Sequence, residues 1–126
     1  VRLAHGRVDS RDPLLRHKTT DRRVYRDAAG ERRDNEPAGE VFLLNEHGEL
    51  TEGTFTNILL ELDGKCFTPP VAAGLLPGCL RTELLARGEI TEQTLTPDDL
   101  SRADTVWAIN SVRGKLRCTV VTDELR

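Results

Sequence analysis

The feature that most constrains the fold is the segment NILLELDGKCFT at residues 57–68. Two apolar runs flank Asp63-Gly64, and this dipeptide favours a tight hairpin because glycine tolerates positive φ. The following Pro69-Pro70 ends the second run, since proline has no N–H to donate to a neighbouring strand. The segment therefore predicts a β-hairpin, and the rest of the chain must build a sheet around it.

Strand and helix signals are spread along the remaining sequence. Further strands are predicted at residues 1–9, where apolar and polar residues alternate loosely, and at residues 40–45, 105–109 and 116–121. A polar strand is predicted at residues 90–95. Helical patterns occur at residues 21–29, 78–86 and 96–100, the last with Thr96 as N-cap and Pro97 in its first turn. A charged stretch at residues 31–39 predicts a mobile surface loop. We expect an α/β or α+β fold, a mixed sheet with helices, in which sheet dominates.

Length and charge limit the classes of function. The chain has 126 residues, which suits one domain, and arginines alternate with carboxylates to give a net charge of −3. Without a face of single sign, neither nucleic acid nor an acidic membrane is an expected partner. No apolar run is long enough to span a bilayer, so we expect no membrane association through a helix.

The cysteines and histidines do not form a metal-binding pattern. Cys66, Cys79 and Cys118 are isolated, no C-x-x-C spacing exists, and the three histidines are far apart in sequence. We therefore expect no metal site and interpret the cysteines as scattered thiols of a protein in the reducing cytoplasm. The chain contains no methionine, even at position 1, so we expect a piece of a longer chain.

Two segments offer a nucleophile and a carboxylate. LRHKTT at residues 15–20 places Lys18 before two threonines at a predicted strand-to-helix junction. Desolvation of a lysine at an interior site makes its amine nucleophilic, although most lysines are solvated surface residues. LTEGTFTN at residues 50–57 places Glu52 on the connection between two predicted strands. A carboxylate there can keep a pyridine nitrogen protonated; taken alone, the segment is an ordinary strand-turn-strand.

Two further segments suit a phosphate group. GLLPGCLR at residues 74–81 opens a predicted helix with Pro77-Gly78, which leaves backbone N–H groups facing outward, although many such helices bind nothing. NSVRG at residues 110–114 follows a predicted strand and offers the Ser111 hydroxyl to a phosphate and the Arg113 guanidinium to a substrate. The alternative for this last segment is a simple hairpin turn.

In their order and spacing, the four segments resemble the class-IV aminotransferase family, over residues 9–121. That family has the D-amino-acid aminotransferase-like fold and includes branched-chain aminotransferases, D-amino-acid aminotransferases and 4-amino-4-deoxychorismate lyases. Thr68-Pro69-Pro70 is similar to the segment that the family places before its Gly-Leu-Leu-Pro-Gly motif. The resemblance implies an α/β, C-terminal large domain that binds pyridoxal 5'-phosphate, with a small N-terminal domain absent from this chain. It also implies a homodimer.

Residue by residue, the resemblance first implies the groups around the cofactor ring. Lys18 matches the lysine that forms a Schiff base with the cofactor and then moves protons. Glu52 matches the glutamate that faces the pyridine nitrogen, and Asn57 resembles a residue that supports the Glu52 loop. Leu76 matches the apolar residue that packs on one face of the ring.

The resemblance next implies the groups at the phosphate and the substrate. Cys79 and Leu80 match positions whose backbone N–H groups hold the phosphate, and Ser111 matches a hydroxyl that joins them. The absent N-terminal domain normally supplies a phosphate-binding arginine and much of the substrate pocket. Arg113 is therefore the one substrate-binding cation that we nominate in this chain.

Departures from the aminotransferase pattern favour one branch of the family. Cys79-Leu80-Arg81 stands where aminotransferases usually carry Ile-Thr-Arg, which removes a threonine hydroxyl from the phosphate site but leaves the N–H. Together with HKTTDR at residues 17–22, NSVRG is more similar to aminodeoxychorismate lyases, in particular those fused behind component I of aminodeoxychorismate synthase. We expect conversion of 4-amino-4-deoxychorismate, a small molecule, to 4-aminobenzoate and pyruvate for folate synthesis. The alternatives are a branched-chain or D-amino-acid aminotransferase, and a catalytically incomplete fragment that folds and self-associates.

Overall fold

The computed structural model describes residues 2–11 and 40–120. Lys18, the predicted helix at residues 21–29 and the predicted loop at residues 31–39 lie outside the described residues. Within the described part, eight strands form one sheet, and their bounds are β1 Arg2–Val8, β2 Val41–Asn45, β3 Leu50–Gly53, β4 Asn57–Leu62, β5 Lys65–Thr68, β6 Thr91–Glu92, β7 Thr105–Asn110 and β8 Gly114–Cys118.

Strand β4 is the hub of this sheet. It pairs antiparallel with β7, from Asn57 opposite Ile109 to Glu61 opposite Thr105. It also pairs with β3, through Glu52 opposite Asn57, and with β5 near its other end. The β1–β2 and β5–β6 pairs are parallel, whereas the remaining pairs are antiparallel. The sheet is therefore mixed, as the sequence predicted.

The hairpin between β4 and β5 confirms the prediction made from Asp63-Gly64. Asp63 has φ 52° and Gly64 has φ 79°, so both residues of the turn are in the left-handed region. A two-residue hairpin loop with positive φ at both positions matches the twist of its flanking strands, and Asp-Gly is among the sequences that favour it.

Two helices lie in the described part, α1 at Cys79–Ala86 and α2 at Pro97–Arg102, with a short 3₁₀ turn at Val71–Ala73. At the start of α2, the Thr96 hydroxyl accepts a hydrogen bond from the Asp99 N–H while the Asp99 carboxylate accepts one from the Thr96 N–H. This reciprocal cap, with Pro97 in the first turn, confirms the predicted helix start. Neither helix has the length and apolar character that a bilayer crossing requires.

The two faces of β4 belong to different apolar clusters. Ile58 and Leu60 pack in one cluster with Leu100 of α2, and Leu59 packs in the other with Leu84 of α1. Successive strand residues point to opposite faces, so a strand covered on both sides is apolar without alternation. This arrangement explains the run Ile-Leu-Leu in the sequence and leaves α1 on the face that carries Asn57.

Two predicted elements need correction. Leu50–Gly53 was predicted as a connection, but it is strand β3. Its polar residues are buried because the sheet supplies partners: the Thr51 hydroxyl donates to the Leu43 carbonyl at 2.8 Å. The predicted strand at residues 90–95 is paired only over Thr91–Glu92, since Leu95 leaves the ladder and enters the core, where its carbonyl accepts the Leu50 N–H.

Candidate functional site

The candidate site is built on the β3–β4 pair. Glu52 and Asn57 stand opposite each other across these strands, and directly opposed residues share a face of the sheet. Both side chains are buried, with exposures of 4% for Glu52 and 6% for Asn57. A buried carboxylate beside a buried amide requires polar partners, because an unsatisfied polar group in the interior is costly.

Those partners are in the segment at residues 76–78, which leads into α1. The Glu52 Oε2 accepts a hydrogen bond from the Leu76 N–H at 3.1 Å. The Asn57 amide donates to the Leu76 carbonyl at 3.0 Å and accepts from the Gly78 N–H at 3.2 Å. The structure thus places the Asn57 amide against residues 76–78, the same segment to which Glu52 is hydrogen-bonded.

The Asn57 side chain approaches Gly78 so closely that a side chain at position 78 would collide with it. A Cβ added at Gly78 would lie 2.5 Å from Asn57 Oδ1, a distance that real Cβ atoms essentially never show. The close approach allows the Asn57 side chain to hold the backbone of residues 76–78 directly. Glycine at the predicted phosphate motif therefore has a packing reason that is visible in the structure.

Helix α1 begins after Gly78, which has no side chain that could cap it. This N-cap residue is extended, and within the part of the chain that the structure describes no side-chain cap hydrogen bond is made at the helix start. The N–H groups of a first turn have no intrahelical acceptor and carry partial positive charge, which suits an anion. Cys79 is exposed here, whereas the Leu80 side chain packs onto the cluster of Leu59 and Ile109. The backbone N–H groups of Cys79 and Leu80 both belong to the first turn of the helix.

Arg81 anchors α1 to the neighbouring elements. This residue was not singled out from the sequence. Its side chain is 3% exposed. One guanidinium nitrogen donates to the Pro69 carbonyl at 3.0 Å and pairs with the Glu92 carboxylate at 2.7 Å. These bonds connect the first turn of α1 to the Pro-Pro segment and to β6. The signal in the sequence was an arginine inside an otherwise apolar helix stripe.

The turn at residues 110–113 closes the β7–β8 hairpin and contacts the loop at residues 53–56. Asn110 Oδ1 accepts from the N–H groups of Val112 at 3.1 Å and Arg113 at 2.7 Å. Its amide donates to the Phe55 carbonyl at 3.2 Å. Ser111 and Arg113 are exposed, and the Arg113 guanidinium carbon lies 5.4 Å from the centroid of the Phe55 ring. The segment is a hairpin turn, and it also adjoins the loop that follows Glu52.

Glu40 is a second buried carboxylate that sequence reasoning missed. Its Oε1 accepts from the Val41 N–H at 2.8 Å, from the Thr54 N–H at 2.9 Å and from the Thr54 hydroxyl at 2.6 Å. Its Oε2 accepts from the Phe55 N–H at 3.3 Å and the Thr56 hydroxyl at 2.9 Å. The loop after Glu52 is therefore wrapped around the carboxylate of Glu40.

Cys66 and Cys118 are not activated thiols. Burial raises the pKa of the Cys66 and Cys118 thiols, which keeps both protonated and weakly nucleophilic near neutral pH. Residues 2–11 and 40–120 also contain no group of three or more histidine, cysteine or acidic side chains arranged to hold a metal ion. Lys18, the predicted nucleophile, lies outside the described residues.

The arrangement suits an elongated ligand with a cationic nitrogen at one end and a phosphate at the other. Glu52 offers the carboxylate, and the uncapped start of α1 offers N–H donors. Both are tied to residues 76–78, where the space beside Asn57 admits only glycine. The sequence predicted seven described residues for such a ligand. They lie on β3, β4, the segment at residues 76–78, the start of α1 and the β7–β8 turn: Glu52, Asn57, Leu76, Cys79, Leu80, Ser111 and Arg113.

The chain is similar in sequence and structure to known proteins of one family. The family model of amino-transferase class IV matches residues 1–121. A curated relative from Schizosaccharomyces pombe, described as a putative aminodeoxychorismate lyase, is 34% identical over 108 residues, which are 82% of this chain and 46% of that protein.

Two solved structures are similar over nearly the whole chain. A putative amino-acid aminotransferase from Mesorhizobium loti is 44% identical with a TM-score of 0.90, covering 95% of this chain and 58% of that one. A 4-amino-4-deoxychorismate lyase from Pseudomonas aeruginosa is 28% identical with a TM-score of 0.83, covering 94% of this chain and 45% of that one. The chain therefore spans about half the length of these relatives.

Proposed function

The chain belongs to the class IV aminotransferase family, as its motifs predicted, and from this premise we propose that it is the C-terminal, cofactor-binding domain of an aminodeoxychorismate lyase. The complete enzyme would convert 4-amino-4-deoxychorismate to 4-aminobenzoate and pyruvate. The observation that carries the proposal is the attachment of Glu52 and Asn57 to the same segment, residues 76–78, that opens into the uncapped helix α1.

Members of this family are pyridoxal-phosphate enzymes, and the residues present fit that cofactor. Glu52 would hold the pyridine nitrogen, Leu76 would pack on one face of the ring, and Lys18 would form the Schiff base. The phosphate would lie on the backbone N–H groups of Cys79 and Leu80 with the Ser111 hydroxyl. When bound, pyridoxal phosphate supplies an electron sink for the carbanion that forms when a substrate proton leaves.

Glu52 keeps a proton on the ring nitrogen. The residue is 4% exposed, so little water competes for its carboxylate. Charge-assisted hydrogen bonds are stronger when they are shielded from water. The Leu76 N–H at 3.1 Å fixes the orientation of Oε2. The carboxylate is thus pre-oriented before any ligand arrives, which removes part of the ordering cost of binding.

Lys18 moves the proton on the substrate side. In the lyase reaction its amine removes a proton from the bound substrate, the substrate ring aromatises and pyruvate leaves. A lysine suits this role because desolvation shifts the balance toward the neutral amine, which is the form that accepts a proton.

Arg113 would bind a carboxylate of the substrate. Its guanidinium is exposed beside Phe55, and among the described residues it makes no ion pair. An arginine offers a planar set of donors that matches a carboxylate, and 4-amino-4-deoxychorismate carries carboxylates. The remainder of the pocket, including a phosphate-binding arginine, we assign to a small N-terminal domain outside this chain.

A second candidate function is that of an amino-acid aminotransferase. The relative from Mesorhizobium loti, at 44% identity, carries the description of a putative amino-acid aminotransferase. Such an enzyme needs a second half-reaction with a keto acid. The lyase is preferred because Cys79-Leu80-Arg81 and NSVRG depart from the aminotransferase pattern, and because the relative from Schizosaccharomyces pombe is described as a putative lyase. We further propose a homodimer in the cytoplasm, with the domain fused behind component I of aminodeoxychorismate synthase.

Turnover assays separate these functions. The complete protein should form 4-aminobenzoate from 4-amino-4-deoxychorismate without added keto acid, whereas an aminotransferase would require an amino donor and a keto acid. The isolated chain of 126 residues should show no turnover, because catalysis needs reacting groups held in place and displacement by about 1 Å costs ~100-fold. It should also self-associate through apolar surface that the absent domain would cover, as light scattering would detect. Robust turnover by a monomeric 126-residue chain would contradict the division of the site between two domains.

A further inference from the structure

The loop at residues 53–56 and the turn at residues 110–113 carry or adjoin four residues of the candidate site, yet apart from their first residues both lie outside the strands. We propose that Glu40 is a positioning residue that sets both segments at once, through a chain of hydrogen bonds that passes through Phe55 and Asn110. Glu40 itself touches neither cofactor nor substrate in this proposal. It acts by fixing the backbone that presents Glu52, Ser111 and Arg113.

The chain of hydrogen bonds starts at the carboxylate of Glu40, a residue that is 6% exposed. It accepts five hydrogen bonds, and four of them come from Thr54, Phe55 and Thr56. Among the described residues it makes no ion pair. A buried carboxylate that is satisfied only by neutral donors needs all of them, because each unsatisfied oxygen would carry a desolvation cost. The loop is therefore held to the carboxylate by several bonds at once.

Gly53 packs directly against the Glu40 carboxylate and the Thr56 hydroxyl, with no room for a side chain. A Cβ at Gly53 would lie 2.5 Å from Glu40 Cδ, from Glu40 Oε2 and from Thr56 Oγ1. The Gly53 N–H also donates to the Thr56 carbonyl at 2.8 Å. Glu52 directly precedes this glycine. The contacts of the loop with Glu40 therefore fix the end of strand β3 and the backbone position from which the Glu52 side chain extends.

The chain of hydrogen bonds then reaches the turn at residues 110–113. Phe55 donates its N–H to Glu40 Oε2 and accepts, on its carbonyl, the Asn110 amide. The other end of that amide, Asn110 Oδ1, holds the N–H groups of Val112 and Arg113. The Phe55 ring additionally lies beneath the Arg113 guanidinium. Displacement of Phe55 would therefore be transmitted to the backbone around Ser111 and to Arg113.

Glu49 offers a matched control for Glu40. It lies at the opposite end of the β2–β3 pair, and its carboxylate accepts a hydrogen bond from the Asn45 amide at 2.9 Å. Glu40→Gln and Glu49→Gln both replace one carboxylate oxygen by an amide of the same size. If loss of a carboxylate at an end of this strand pair acted only through general stability, both changes would have the same effect; we expect only Glu40→Gln to reach the turn at residues 110–113.

The test is amide hydrogen exchange of the full chain without cofactor, followed residue by residue. With Glu40→Gln we expect exchange at Thr54 and Phe55 to rise about tenfold or more, since hydrogen bonds to charged groups are the stronger ones. Exchange at Val112 and Arg113 should rise with them, while β5 and α2 stay unchanged. Glu49→Gln should leave all four of these amides unchanged.

Two outcomes would overturn the proposal. One is faster exchange at Thr54 and Phe55 with none at Val112 and Arg113, which would confine Glu40 to its own loop. The other is a uniform rise across the sheet, which would make Glu40 a general stabilising residue. If Glu40→Gln does not fold, Thr56→Val removes one donor from the same carboxylate and is read by the same criteria.

The functional consequence rests on the proposed function, but the exchange measurement does not. In the complete enzyme, Glu40→Gln should raise KM for the substrate, because Arg113 is displaced, and should also lower kcat, because Glu52 is displaced. If the unsubstituted protein does not bind the cofactor, the proposed function is refuted, but the exchange result remains valid. Altered exchange with an unchanged KM would refute the effect of Glu40 on Arg113 alone.

Discussion

The carboxylate of Glu52 and the backbone N–H of Leu76 are 3.1 Å apart and joined by a hydrogen bond. Two residues further along, Gly78 is held by Asn57 and occupies the N-cap position of helix α1. The group proposed for the ring nitrogen and the donors proposed for the phosphate are thus parts of one hydrogen-bonded unit. The spacing between them is set by the backbone of residues 76–78 and not by flexible side chains.

This unit predicts the effect of Glu52→Gln. A glutamine can still accept from the Leu76 N–H, so the fold and the melting temperature should be retained. The charge-assisted contact to the ring nitrogen, worth roughly 1.5–3 kcal/mol, is lost, and kcat should fall by about tenfold or more. Glu61→Gln, at the other end of β4, is the control and should leave kcat unchanged. An unchanged rate with Glu52→Gln would count against its role.

Gly78→Ala should disrupt the same unit from the backbone side. The new Cβ would meet Asn57 Oδ1 at 2.5 Å, so the hydrogen bonds of Asn57 to residues 76–78 must shift. Overpacking of this kind costs about 1–3 kcal/mol of unfolding free energy. Asn57→Ala removes the obstructing side chain, so the double variant should be less destabilised than the sum of the two single variants. Simple additivity in urea unfolding would show that the two residues do not interact.

Thiol labelling should locate the anion site. Cys79 is exposed at the start of α1, whereas burial raises the pKa of Cys66 and Cys118 and keeps their thiols protonated until higher pH. A maleimide at neutral pH should therefore label Cys79 first, and pyridoxal phosphate should slow that labelling. Labelling of Cys66 and Cys118 should accelerate only as pH rises. Equal labelling of Cys79 with and without the cofactor would place the phosphate elsewhere.

Arg113→Gln should affect the substrate and not the cofactor. The guanidinium stands exposed over the Phe55 ring, so its removal leaves the core untouched. Loss of one arginine–carboxylate contact should raise KM by about tenfold. Arg117→Gln, exposed on the neighbouring strand β8, is the control and should leave KM unchanged. Equal effects of the two variants would indicate only a general dependence on charge.

Local signals in the sequence predicted the elements whose determinants are local. The Asp63-Gly64 hairpin and the Thr96 cap of α2 each depend on residues within a few positions, and both were predicted correctly. Strand β3 was missed because Thr51 and Glu52 are polar, and their burial depends on partners on other elements, at Leu43 and Leu76.

The candidate site divides in the same way. The positions of Glu52, Cys79 and Ser111 followed from motifs with family spacing, whereas Glu40 and Arg81 did not stand out. Apart from the adjacent Val41, the partners of Glu40 are 14 to 16 residues along the chain, and those of Arg81 are 11 and 12 residues away. Nothing in a single sequence indicates that such residues meet, since the contacts arise only when the sheet has formed.

Reduction with borohydride tests the central claim most directly. The lysines of the chain are Lys18, Lys65 and Lys115. Lys65 is exposed beside the Asp63-Gly64 turn, and the Lys115 ammonium is exposed on β8, 4.5 Å from the centroid of the Trp107 ring. The complete protein, loaded with pyridoxal phosphate, reduced with borohydride and digested, should carry the cofactor on the peptide that contains Lys18. Attachment to Lys65 or Lys115 instead would contradict the assignment of this chain as the cofactor-holding domain with Lys18 at its reactive centre.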